Sequence, residues 1–215
     1  MWILLQLADS AFPTGGFAHS AGLEAAAQAG EVVSAEDVRR FARDAVWQAG
    51  FGALPLVRGV YAEPESLPRL DARADAFLAN HVANRASRTQ GRAFLATAAR
   101  VFAERIAPVQ RRAEGLKLHL APIWGAVVAA LDVDLPDAQR VLLWCAARNV
   151  LSAAVRLGLA GTYEAQSILA GLAPLLDEVH ARCGGLGPDA LAQPAPLLDL
   201  LQGTHDRLYS RLFQS

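Results

Sequence analysis

Apolar residues recur at helical spacing along most of the chain. The cleanest case is Val38, Phe41, Ala42, Ala45, Val46 and Ala49, which share one face of a helix. Ser34 precedes it as an N-cap, Glu36 and Asp37 favour its first turn, and Val33 and Val38 stand at staple positions. Gly50 is placed to end it. Phe51 to Tyr61 is apolar but carries Pro55, which predicts a kinked or restarted helix. After a turn at residues 63–68, helix resumes around Leu70 with Ala74, Phe77, Leu78 and His81 on one side. Near Asn84 the chain pauses or runs on into a helix faced by Phe94, Leu95, Ala98, Val101, Phe102 and Ile106, which Pro108 ends.

Residues 110–117 read as a basic loop, and 118–131 as a short apolar element interrupted by Pro122 and Gly125. Asp134 is a candidate cap for a helix with Pro136 in its first turn. That helix, to about residue 160, is apolar almost all round and so belongs at the centre of the fold. Its exceptions, Arg140, Trp144, Arg148, Ser152 and Arg156, fall four apart. Thr162 can cap the next helix, where Ile168, Leu169, Leu172, Leu175, Leu176 and Val179 form the stripe and Pro174 predicts a kink. Gln193-Pro-Ala-Pro leads into a final helical tail ending at Ser215. At the other end, Asp9, Ser10, Pro13 and Gly15-Gly16 predict a sharp turn, followed by a small-residue helix from Phe17 to Ala29. Only residues 1–7 could be a strand. The pattern predicts one all-α domain of about eight to ten helices.

Composition narrows the function classes. The 215 residues are 53% hydrophobic and only 19% charged, so the chain can bury a large core and leaves a weakly charged surface. A formal net charge of -1 supplies no field for nucleic acid. No apolar run reaches the ~18 residues of a membrane span. Residues 1–5 lack the basic start of a secretory leader. Cys145 and Cys183 show neither disulfide framework nor zinc spacing, which suits a reducing cytoplasm.

Candidate chemistry is sparse. Thr14 to Ser20 is glycine-rich but lacks the lysine of a phosphate loop. His180 and Cys183 lie three apart on a helix, too few ligands for a closed metal site, although imidazole suits nickel. His19 and Ser20 are adjacent on the predicted helix and so point apart, and no catalytic centre is found. Arg85, Arg88 and Arg92 form one stripe beside Gln90-Gly91, where a mid-helix glycine signals close packing or contact, or else the stripe is a solvated basic face. Arg148 and Arg156, on the buried helix, need a carboxylate, a wet channel or a partner unless that edge faces solvent. The tail mixes Leu208, Tyr209, Leu212 and Phe213 with Arg207 and Arg211, and either docks on its own core or orders on a partner.

Several runs resemble the urease accessory protein UreF family. They are Leu5-Gln-Leu-Ala-Asp-Ser, Pro13-Thr-Gly-Gly-Phe-Ala-His-Ser, Gly22-Leu-Glu, Gln90-Gly-Arg, Ala154-Val-Arg-Leu-Gly, Glu164-Ala-Gln and Tyr209-Ser-Arg-Leu-Phe, and they span the whole chain. The resemblance implies an all-α, homodimeric, cytoplasmic protein that does no chemistry itself. It implies a bridge between UreH (also UreD), the GTPase UreG and apo-urease during GTP-dependent nickel insertion. A nickel-binding metallochaperone is the alternative. By the same resemblance His205, Tyr209, Arg211, Leu212 and Phe213 face UreH. Arg156 and Gln166 are candidates for the GTPase side, and Arg88 and Arg92 are further partner candidates. The family often has Glu after the tail histidine, where this chain has Asp206. No resident metal or cofactor is implied.

Overall fold

The computed structural model describes Met1–Ser215, and all its regular structure is helical. Twelve α-helices occur, joined by short 3₁₀ turns, two more than the upper sequence estimate. The count rises through separate helices at Trp2–Ala8, Ala103–Arg112 and Ala173–Cys183, while other expected helices are shortened. Residues 17–29 do not form one helix: a 3₁₀ turn at Gly16–Ala18 is followed by extended backbone at His19 and only then by α2, Leu23–Gln28. Pro174 separates α10, Thr162–Gly171, from α11, Ala173–Cys183, instead of kinking a single rod. The expected helical tail stops early, with α12 at Pro196–Gly203 and a 3₁₀ turn at His205–Arg207.

Residues 1–7, the one possible strand, belong to helix α1, Trp2–Ala8, which seats Leu4 and Leu7 on one face. The capped helix α3, Ala35–Gly52, follows its sequence signals closely. Ser34 Oγ accepts from Asp37 N–H at 3.2 Å, and Asp37 accepts from Ser34 N–H at 3.0 Å. Val33 is 71% exposed, so the staple with Val38 is not closed. Pro55 restarts the chain as α4, Leu54–Ala62. Then come α5, Leu67–Phe77, and α6, His81–Val101. The break ascribed to Pro108 falls earlier, at Phe102; Pro108 lies inside α7, Ala103–Arg112, which takes up part of the expected loop.

Two helices organise the rest. α8, Leu120–Ala130, packs against α4, α5, α6 and α7. α9, Leu135–Arg156, packs against α1, α3, α10 and α11, as its all-round apolar sequence requires. Asp134 stands at its N-cap without a side-chain hydrogen bond. The α8 contacts are backbone-close. A Cβ on Gly91 of α6 would lie 2.0 Å from Leu118 O, and one on Gly125 would lie 2.6 Å from Val57 O. The mid-helix glycine at 91 therefore marks packing inside the chain.

Candidate functional site

The N-terminal glycine-rich run and the C-terminal run form one structure. Gly15 (φ +73°) and Gly22 (φ +90°) hold left-handed conformations that L side chains resist, and between them the chain leaves helical geometry. This frees residues 18–20 to pair with the tail. Gln214 N–H donates to Ala18 O at 2.8 Å, and Ser20 N–H donates to Ser215 O at 2.6 Å. Ser20 Oγ donates to the same oxygen at 3.0 Å, and His19 Nδ1 lies 2.6 Å from Ser215 Oγ. His19 and Ser20 thus serve one neighbour, against the expectation of opposed directions on a helix.

Glu24 is the centre of the junction. Its carboxylate is almost fully buried. It accepts Leu212 N–H at 2.6 Å and Phe213 N–H at 3.1 Å, and it faces His205 Nε2 at 3.0 Å. Hydrogen bonds to a charged acceptor contribute about 1.5–3 kcal/mol each, and together they offset the desolvation of a carboxylate. The second anchor is Arg156. Its guanidinium lies 4.0 Å from the Phe17 ring centroid and 4.2 Å from that of Phe213, and it donates to Phe17 O at 2.6 Å. The third is outside: Arg85, His81 and Arg211 converge on Asp206. The Arg85 guanidinium, helped by His81, holds the Asp206 carboxyl at about 2. Gln28 donates to Ser210 O at 2.9 Å.

The predicted site residues divide accordingly. His205 and Phe213 are internal, so the tail is docked on its own core through them. Tyr209 is fully exposed and Leu212 is 53% exposed, with Arg211 beside them. Arg156 joins this group from α9, and Arg148 instead holds Ala8 O and Asn149 Oδ1 while stacking on Trp144. Arg88 is half-buried and Arg92 exposed on α6, and Gln166 is exposed on α10, apart from the tail bonds. Sequence reasoning missed Glu24 and Phe17. The available signal was a carboxylate within an alanine-rich apolar run, which demands a buried partner.

Two other clusters bear on chemistry. His180 Nε2 faces Gln139 Oε1 at 3.2 Å, and Cys183 is buried against Gly50. Ser87, His119 and Asp75 stand in line: His119 Nδ1 is 3.2 Å from Ser87 Oγ, and Nε2 is 3.1 Å from Asp75 Oδ1. The order resembles a nucleophile–base–orienter relay, and sequence reading did not find it. Its atoms are already engaged. Leu120 N–H donates to Ser87 Oγ, Asn84 Nδ2 donates to Asp75, and His119 is fully buried. Asp71 beside it accepts the N–H groups of Lys117, Leu118 and His119. The cluster ties α5 and α6 to the start of α8.

The fold and its joined ends define an all-helical protein that seats its terminal segment on an N-terminal glycine-rich motif. The chain belongs to the UreF family of urease accessory proteins, whose family model matches residues 32–173. It is 37% identical over 221 residues to urease accessory protein F of Arabidopsis thaliana, covering 100% of this chain and 92% of that one. It is 36% identical over 220 residues to urease accessory protein F of Oryza sativa subsp. indica, covering 99% and 84%. To urease accessory protein UreF of Cereibacter sphaeroides it is 34% identical over 216 residues, covering 99% and 97%. The family match stops short of both joined motifs, whereas these full-length alignments include them.

Proposed function

We propose that the chain is a non-catalytic scaffold in urease metallocentre assembly. It bridges UreH (UreD), the GTPase UreG and apo-urease, and acts as a cytoplasmic homodimer during GTP-dependent nickel insertion. The observation that carries this reading is the two-sided tail. Phe213 and His205 fix it from within, while Tyr209, Arg211 and Leu212 stand outward on a preorganised base. Aromatic and arginine side chains on a rigid support are the usual energetic anchors of an interface. UreH takes this face. Arg156, reached from the same junction, couples the tail to α9, and Gln166, Arg88 and Arg92 offer polar contacts for the GTPase. Nickel passes through hydrated gaps of the assembly, because tight ligation would slow its release.

The test is co-purification. Tyr209→Ala combined with Leu212→Asp removes the outward anchors and leaves Phe213 and His205 in place. The variant should keep the wild-type melting temperature and lose capture of UreH. Undiminished capture would reject the assignment of this face.

A further inference from the structure

A cavity of about 310 Å³ lies where α3, α5, α6, α8, α9 and α12 meet. That volume falls within the range of small-molecule sites, which are mostly apolar with a few placed polar groups. Its body is built from small and apolar side chains, among them Ala45, Ala86 and Ala146. No lysine or arginine borders it, and its one carboxylate, Asp199, already accepts from Gln48 Nε2 at 3.2 Å and is pushed toward its neutral form by burial. The cavity wall also carries His19, Gln90, Asn149 and Gln202.

Those four residues have unused hydrogen-bonding capacity. His19 is 8% exposed, and its partnerless Nε2 is sealed off, so the ring backs the wall of the cavity without meeting its contents. Burial, with Arg85 and His205 nearby, lowers its pKa, so the imidazole is neutral near pH 7. Asn149 uses only Oδ1, for Arg148, and its Nδ2 lies 3.2 Å from where a Gly16 Cβ would stand. The side-chain amides of Gln90 and Gln202 bond to no group of the chain, and neither is a sealed orphan, so they border open space. A few polar groups on the wall of an otherwise apolar cavity are the kind of contacts that orient a bound small molecule. Three amides match a neutral planar head with both donor and acceptor. They offer no countercharge to an anion.

We propose that this cavity is a binding site for a small neutral molecule with an apolar body and a carboxamide-like head. The head meets Gln90, Asn149 and Gln202, and the body fills the alanine-lined space. This site does not depend on the scaffold role.

The test titrates the isotope-labelled full chain with benzamide, toluene and benzoate, read by amide chemical shifts and thermal unfolding. Benzamide should saturate, with shifts centred on the residues named here. It should bind about tenfold more tightly than toluene, which lacks the head, and than benzoate, whose charge has no partner. Gln90→Leu should erase the preference for benzamide over toluene while leaving toluene affinity unchanged. Ala146→Leu, checked for folding by circular dichroism, should abolish binding of all three. Failure of benzamide to saturate, equal binding of toluene or benzoate, or undiminished binding by Ala146→Leu would each overturn the proposal.

Discussion

The polar cluster around His119 and the one around Glu24 do the same job in different ways. Each uses a buried histidine and a carboxylate to hold a non-helical stretch against helices. Around His119, Ser87, Asp75 and Asn84 use both ring nitrogens and the surrounding donors, and Asp71 collects three backbone N–H groups. Around Glu24, His19 Nε2 and His205 Nδ1 are left without partners. The first cluster is also locked by backbone contact at Gly91. The second holds a segment whose outer side chains are solvated, so it can exchange its bonds for water. One junction is built to stay closed, and the other is built with capacity to spare.

The sharpest way to break this contrast is Gly91→Ala. A Cβ 2.0 Å from Leu118 O must push α6 from the α8 junction. The expected loss is about 3 kcal/mol of global stability, read as a lower midpoint in denaturant unfolding. A midpoint near wild type would mean that the α8 crossing is more pliant than described. Next is Glu24→Ala, which removes the acceptor of Leu212 and Phe213 N–H and the partner of His205. The tail can then be hydrated, so the global cost should stay near about 2 kcal/mol. Amide exchange should rise steeply over residues 205–215 and remain slow in α8; equal acceleration in both would erase the distinction.

A smaller effect is expected for Arg156→Ala. It loses two ring contacts and the bond to Phe17 O, about 1–2 kcal/mol of tail docking. The change should appear as increased tail exchange with little change in the unfolding midpoint. Acid gives the smallest effect. The fold depresses the His19 pKa below its usual 6.5, chiefly by burial, so the unfolded chain binds the proton more readily. Its contribution is therefore complete above about pH 6.5 and is lost as pH falls from there through the depressed folded value. The Asp206 carboxyl, held at about 2 by Arg85, stays ionised until far lower pH. Between pH 7.5 and 5.5 tail protection should fall while the Asp206 contacts persist, and a flat profile would remove His19 from the junction.

Local rules explain what could be read from residues alone. The Ser34 cap, the restart at Pro55, the central position of α9 and the close packing at Gly91 each depend on neighbours within a few positions or on composition. The junction does not. Glu24 meets its partners 181 to 189 positions away, and His19 meets Ser215 across 196. The small residues from Ala18 to Ala29 favour helix, but pairing with the tail outweighs that weak propensity at His19 and Ser20. Arg156 was legible as a buried charge in need of a partner, yet two aromatic rings and a carbonyl satisfy it instead of a carboxylate. The α8 cluster was hidden because Asp75, Ser87 and His119 sit on separate elements and follow no fixed spacing.

The pairing of Ser20 with Ser215 spans 195 positions. During synthesis on the ribosome, Glu24 and His19 emerge long before the residues that satisfy them. Contacts this distant in sequence are among the last to form. The nascent chain can assemble its helices around α8 and α9 while its opening motif stays unsatisfied, and the motif is completed only when translation reaches the tail.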